Sequence, residues 1–281
     1  MDMILADNDL CGRAPSQGTL DALWATLRLE GLEAAERDGL MAQPIGHALL
    51  AHASLAEALA HRLANKLADA DLSAVALTGL IIDVLATVPA TLHAAASDLM
   101  AVRERDPACP DLVTPFLYFK GYQALQAFRV SHALWLRGRT HLARHIQARM
   151  SEVFAMDIHP AARLGCGIMI DHGTGVVIGE TAVIENDVSI LQGVTLGGTG
   201  KACGDRHPKI RRGVLLGAGS SVLGNIEVGE GAKVGAGSIV LSDVAPFTTV
   251  VGVPARVVGH GHLGLPAFTM DQMLPEPDYA I

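Results

Sequence analysis

The 281-residue sequence is poor in aromatic side chains, at 4% Phe, Trp and Tyr, and holds only four cysteines. Cys11, Cys109, Cys166 and Cys203 lie far apart and form no CxxC pair, which argues against a disulfide framework or a structural zinc site and for free thiols. Charge is sparse too: 21 Lys and Arg against 29 Asp and Glu leave a formal net charge of -8. No basic stripe offsets that balance. The densest basic stretch, 137–149, is broken by apolar residues at helical spacing, so nucleic acid is not an expected partner. Long apolar runs are missing as well: VALTGLII at 75–82 stops at Asp83, too short for a membrane span. The opening MDMILADNDLCGRAP has an acid at Asp2 and no basic leader region, so no secretory signal is expected and the cytoplasm is the expected compartment. A GKS/T phosphate loop and a dinucleotide fingerprint are absent.

What is present falls into two periods. Half of the residues are apolar and the mean hydropathy is +0.33, ample for one large core or two small ones. From about Leu20 to Met156 apolar residues recur at three-and-four spacing in alanine- and leucine-rich segments, which predicts five to eight helices. Thr91 reads as an N-cap, and Thr114-Pro115 as a cap followed by a proline at the first helical position. Phe116, Tyr118, Phe119, Tyr122, Phe128 and Trp135 fit one core-facing side better than a ligand box.

After Asp157 the period becomes six. Aliphatic residues stand at Ile158, Leu164 and Ile170, then at Ile178, Ile184, Ile190 and Leu196, and again at Ile210, Leu216, Val222, Val228, Val234 and Val240. Six suits a three-sided solenoid in which each short strand points one aliphatic side chain inward and turns at a small residue. The fold class is therefore α+β. A helical N-terminal domain over 1–156 precedes a parallel β-helix of hexapeptide repeats over 157–260, and a flexible tail over 261–281 has lost the repeat.

Two insertions interrupt the repeat: DHGTG at 171–175, and the protruding loop GGTGKACGDRHPKIRRG at 197–213. A stacked repeat expels its insertions to the surface as loops, and both carry histidine beside charged residues. Histidine is the natural base for an alcohol near neutral pH. His172 follows Asp171 and has Asp157 one coil earlier to orient its ring, while His207 sits beside Arg206 and Asp205. A zinc lyase built on His159, His172 and His207 is a rival, although no two of these are five residues apart. An acetyltransferase acting on a sugar or an antibiotic, and a non-catalytic scaffold, are the others.

The segment from Asp157 to Ile210, with GDRHPKI as its most specific part, and the helical TPFLYFKGYQALQAFRVSHALW resemble the bacterial serine acetyltransferases, over about Val75 to Gly259. That resemblance implies a left-handed β-helix and transfer of acetyl from acetyl-coenzyme A to the L-serine hydroxyl, the first step of cysteine biosynthesis from serine. It implies His172 as base, Asp157 as its orienting carboxylate and His207 as a second active-site histidine that also helps bind serine. Asp106 and Asp171 would hold the serine ammonium and Arg206 its carboxylate. A free amino acid needs such a pair of opposite charges, and a guanidinium fork matches a carboxylate. Gly198, Ala218, Gly219, Lys233, Ala255 and Arg256 would contact acetyl-coenzyme A as co-substrate, with no permanently bound cofactor and no metal. Cys203 reads as incidental. The resemblance further implies a homotrimer with shared sites, a dimer of trimers, L-cysteine as feedback inhibitor, and O-acetylserine sulfhydrylase as a partner gripped through Ile281, with Asp278 nearby.

Overall fold

A computed structural model describes residues 16–200, 203–260 and 264–274. Before Asp157 these include eight α-helices: α1 (Gln17–Arg37), α2 (Gly39–Ile45), α3 (Leu55–Leu67), α4 (Ala74–Thr87), α5 (Pro89–Arg105), α6 (Val113–Tyr118), α7 (Lys120–Leu136) and α8 (Thr140–Phe154). Ser16, Ser54 and Ser73 start α1, α3 and α4 by accepting from the N–H of Thr19, Glu57 and Ala76, so each hydroxyl satisfies a donor the helix leaves open. The two expected caps lie elsewhere. Thr91 sits inside α5, which begins at Pro89, and α6 starts one residue before Thr114, whose N–H is taken by the Asp111 carboxylate at 2.7 Å. Among the described residues no single helix is long and apolar enough to cross a membrane; α4 and α5 together pass by composition but meet at 98°.

Of the aromatics, Phe116, Tyr122 and Phe128 are buried in the core and Tyr118 is exposed. The helix α7 is buried on nearly every side. Gly121 lets it touch the β-helix, because a Cβ there would lie 2.0 Å from the Ile170 carbonyl oxygen, directly before DHGTG. Deeper in, the Arg129 guanidinium donates to both oxygens of the fully buried Asp98 at 2.8 and 3.0 Å and to Gly165 O at 2.7 Å. Asp98 also accepts the Ile168 N–H at 3.0 Å. Removing one partner of such a pair strands a buried charge, at a cost of roughly 3–5 kcal/mol. One apolar cluster runs without a break from Leu20 to Val250, so helices and β-helix share a core.

The strands confirm the six-residue reading and stack as a left-handed parallel β-helix with three faces. The first face orders β1 (Asp157–Ile158), β4 (Val177–Ile178), β7 (Thr195–Gly197), β10 (Ser221–Leu223) and β13 (Ile239–Val240). The second stacks β2 (Arg163–Leu164), β5 (Val183–Ile184), β8 (Lys209–Ile210) and β11 (Glu227–Val228). The third holds β3 (Met169–Ile170), β6 (Ser189–Ile190), β9 (Leu215–Leu216), β12 (Lys233–Val234) and β14 (Thr248–Gly252), with β15 (Ala255–His260) added antiparallel. Every inward aliphatic position is buried except Leu164, which is half-buried; each buried side chain contributes roughly 1.5–3 kcal/mol.

Residues 264–274, expected to be loose, lie along the β-helix. They carry α9 (Pro266–Thr269), with Leu265 against Gly213 and Gly231, and the Phe268 ring 4.5 Å from the buried Arg105 guanidinium. Cys109 and Cys203 are free thiols, whereas Cys166 is disulfide-bonded, against the expectation of free thiols throughout. Burial and the nearby Asp106 push the Cys109 thiol up to about 11, which leaves it unreactive.

Candidate active site

The strand order puts the two insertions on different edges of the prism. DHGTG joins β3 to β4, at the edge between the third and first faces, while the longer excursion joins β7 to β8, between the first and second. A face is one short strand with its turns, about six residues, so the edges stand roughly 15–20 Å apart.

On the first edge, His172 has a left-handed backbone, φ +55°, between Asp171 and Gly173 at φ +78°. That conformation is costly for a residue with a Cβ and is held here by its surroundings. Gly175 N–H donates to Ala155 O at 2.7 Å, and Gly173 is so close to Met156 Sδ that a Cβ would lie 2.6 Å from it. The loop is therefore clamped against the segment that leads into Asp157, whose Cα pairs with that of Val177 one coil on. The His172 ring stays 74% exposed, its Nε2 3.8 Å from Asp171 Oδ1. Asp157 accepts from Gln147 Nε2 at 2.7 Å, and no hydrogen bond joins it to His172.

Asp106 arrives from the C-terminus of α5, where its carboxylate accepts the Ala108 N–H at 2.8 Å. The neighbouring Arg105 anchors that turn by donating to Ser189 Oγ at 3.2 Å and facing Asp187 at 3.6 Å. Asp106 comes close enough for its charge to act on Asp171. Burial first, and Asp106 after it, hold the Asp171 carboxyl above the usual aspartate range, while His172 pulls the other way. Asp106, Asp171 and His172 are thus one cluster, acidic enough for an ammonium group. Ala218 and Gly219 lie on the same edge, in a column where Gly175, Gly193, Gly219 and Gly237 all have positive φ.

On the second edge, the Arg206 guanidinium donates to Glu180 Oε2 at 2.6 Å, and the His207 ring, only 7% exposed, packs against the 179–181 turn. Gly198 lies here, its Cα facing Arg206. Lys233, on the third face, donates to the backbone oxygens of Asp271 and Met273 at 3.3 and 2.5 Å, so the C-terminal segment covers it. Ala255 and Arg256 open β15 beyond the Val253–Pro254 turn, with Arg256 exposed. Cys203 is exposed in the excursion. Ile281 and Asp278 lie outside the described residues. No group of three or more His, Cys, Asp or Glu among the described residues converges on a metal position.

Sequence reasoning passed over Gln147, Gly179, Glu180 and Thr181. The last three occupy an ordinary turn of the repeat, and their only signal is that the excursion must rest on the coil beneath it.

Comparison with known proteins identifies the family and its fold. The N-terminal serine acetyltransferase family model matches residues 23–127, and the bacterial transferase hexapeptide model, six repeats, matches residues 207–242. The serine acetyltransferase of Escherichia coli strain K12 is 52% identical over 253 residues, which is 90% of this chain and 93% of the relative. A solved serine acetyltransferase in complex with cysteine superposes with a TM-score of 0.89 at 50% identity, covering 92% of this chain and 100% of its own. A serine acetyltransferase from Brucella abortus strain S19, in complex with coenzyme A, gives 0.85 at 47% identity over 88% of this chain and 99% of its own. With about half of its residues identical over nine tenths of its length, the chain belongs to the serine acetyltransferase family.

Proposed function

We propose that the enzyme transfers acetyl from acetyl-coenzyme A to L-serine directly, with His172 as the base, in a site built from the first edge of one chain and the second edge of its neighbour. The separation of the two edges carries this reading. Within one chain Arg206 and His207 cannot reach a substrate lying on His172, and side-by-side packing of three prisms brings unlike edges together.

In that site Asp106 and Asp171 hold the serine ammonium, and the Arg206 fork takes its carboxylate alongside Glu180. His172 removes the hydroxyl proton, Asp157 keeps the ring oriented, and the serine oxygen bonds to the thioester carbonyl carbon. A backbone N–H at Gly198 and the His207 ring face the developing oxyanion. Collapse breaks the C–S bond, and the proton on His172 passes to the departing sulfur. No acetyl-enzyme is required, so Cys203 has no part. Acetyl-coenzyme A is co-substrate; Ala218, Gly219, Lys233, Ala255 and Arg256 support a path for it along the later coils. L-Cysteine offers the same ammonium and carboxylate as serine, which supports its role as a feedback inhibitor in the serine pocket. A dimer of trimers, a cytoplasmic setting, and docking of O-acetylserine sulfhydrylase on the terminal Ile281 belong to the same reading.

Thiol release from acetyl-coenzyme A with L-serine as the varied acceptor tests it. His172→Ala is expected to lower kcat about 10²–10⁴-fold with assembly unchanged. Wild-type turnover in that variant removes His172 as base, and release with a sugar acceptor instead of serine overturns the substrate.

A further inference from the structure

We propose that Thr181 is a positioning residue for acyl transfer, pinning the proton of His207 on Nε2 so that this histidine serves as a hydrogen-bond donor and not as a base. The proposal rests on the placement of His207 in the shared site. The Thr181 N–H lies 3.2 Å from His207 Nδ1, and a backbone N–H can only donate, so Nδ1 is an acceptor. Thr181 Oγ1 lies 2.9 Å from the same nitrogen and is itself the acceptor for the N–H groups of Arg206 at 3.0 Å and His207 at 3.1 Å. With its lone pairs engaged by those two amides, the hydroxyl has its own hydrogen to give, and Nδ1 at 2.9 Å and the Asp205 carboxylate are the acceptors beside it. One threonine therefore fixes the loop backbone, the ring and the tautomer together.

The rest of the cradle is consistent. A Cβ at Gly179 would lie 2.1 Å from both Cδ2 and Nε2 of His207 and 2.9 Å from Cε1, so only a bare backbone lets the ring settle over this turn. The charges facing His207 come from Arg206, Glu180, Lys209 and Asp205. Both acids are already engaged, Glu180 by Arg206 and Asp205 by Lys209, each at 2.6 Å. Burial first, then Arg206, holds the imidazole below its usual range, which keeps it uncharged at neutral pH. A hydrogen-bond donor that needs no proton transfer suits the oxyanion better than a second base would.

Thr181→Val removes the hydroxyl at constant shape and keeps the backbone N–H on Nδ1, so it tests the hydroxyl's hold on ring and loop, and Thr181→Ser restores that hold. The value of kcat/KM for L-serine at about pH 8.5 is expected to fall on the order of 10- to 100-fold in Thr181→Val and to return in Thr181→Ser. His207 stays uncharged across the neutral and alkaline range, so the defect is expected to be the same from about pH 7 to 9. A Thr181→Val enzyme with wild-type kcat/KM, or one whose defect is not restored by serine, overturns the proposal. His207→Ala separates the two levels: wild-type turnover there removes His207 from the site and this inference with it, whereas a crippled His207→Ala beside an unaffected Thr181→Val overturns the inference alone.

Discussion

His172 and His207 stand on two edges of one prism and are held in opposite ways. The first has a left-handed backbone and an exposed ring with only a distant carboxylate beside it; the second is buried, its Nδ1 already bound to Thr181. A base must meet its substrate with a free lone pair and gain a proton. A donor must keep one proton in one place. On the proposed reading, the same side chain is fitted to either task by its turn: a strained, open loop for the base, and a satisfied cradle for the donor.

The largest effect that can break this contrast comes from mixing. His172→Ala and His207→Ala chains, each nearly inactive alone, are expected to recover about one quarter of wild-type sites when co-assembled at equal amounts, since random pairing gives that share of interfaces two intact edges. No recovery in mixed trimers would place both histidines in one chain's site and dissolve the two-edge reading. Next comes Gly179→Ala, whose methyl displaces the His207 ring; kcat/KM for L-serine should drop about 10- to 100-fold with little change in thermal stability. A wild-type value would show that the ring has room to move.

The smallest effect sharpens the second edge alone. Glu180→Gln keeps the hydrogen bond to Arg206 and loses the charge, so KM for serine is expected to rise about 3- to 10-fold at nearly constant kcat. The Arg206 hydrogen bond holds the Glu180 carboxyl below its usual range. The native pair is therefore intact above the ordinary glutamate value and is lost only as the pH falls through the lowered one. The ratio of variant to wild-type KM should then stay flat from about pH 6 to 9. A slope in that window would mean that a different group titrates.

Much of this architecture was legible in the sequence because an inward position in a narrow prism tolerates only an aliphatic side chain, which fixed strand after strand from Ile158 to Val240. The loops were legible for the complementary reason, since a stack cannot absorb DHGTG or the excursion. Helix starts were less so: Thr91 has the chemistry of a cap, yet Pro89 at the first helical position begins α5 two residues earlier and tertiary packing buries the threonine. Thr181 and Glu180 were hidden because their partners lie 25 or more residues away, across a loop whose path no local pattern states. The seating of Leu265 and Phe268 depends on Gly213, Gly231 and Arg105 in the same non-local way.

The left-handed glycine column has a consequence for how such a chain can change. Gly175, Gly193, Gly219 and Gly237 turn successive coils at one edge, and the first three close over one another with no side chain between them. Corner glycines recur after 18 residues in both uninterrupted intervals, Gly175 to Gly193 and Gly219 to Gly237, and after 26 where the excursion intervenes. Length within the coils is thus quantised: a one-residue indel inside a strand or its tight turn, unlike one looped out at an edge, rotates the later aliphatics out of the axis, whereas gain or loss of a whole coil only lengthens or shortens the screw by one strand spacing, about 4.8 Å. The loops can change length without disturbing the stack, but the height between their anchor points moves only in those steps.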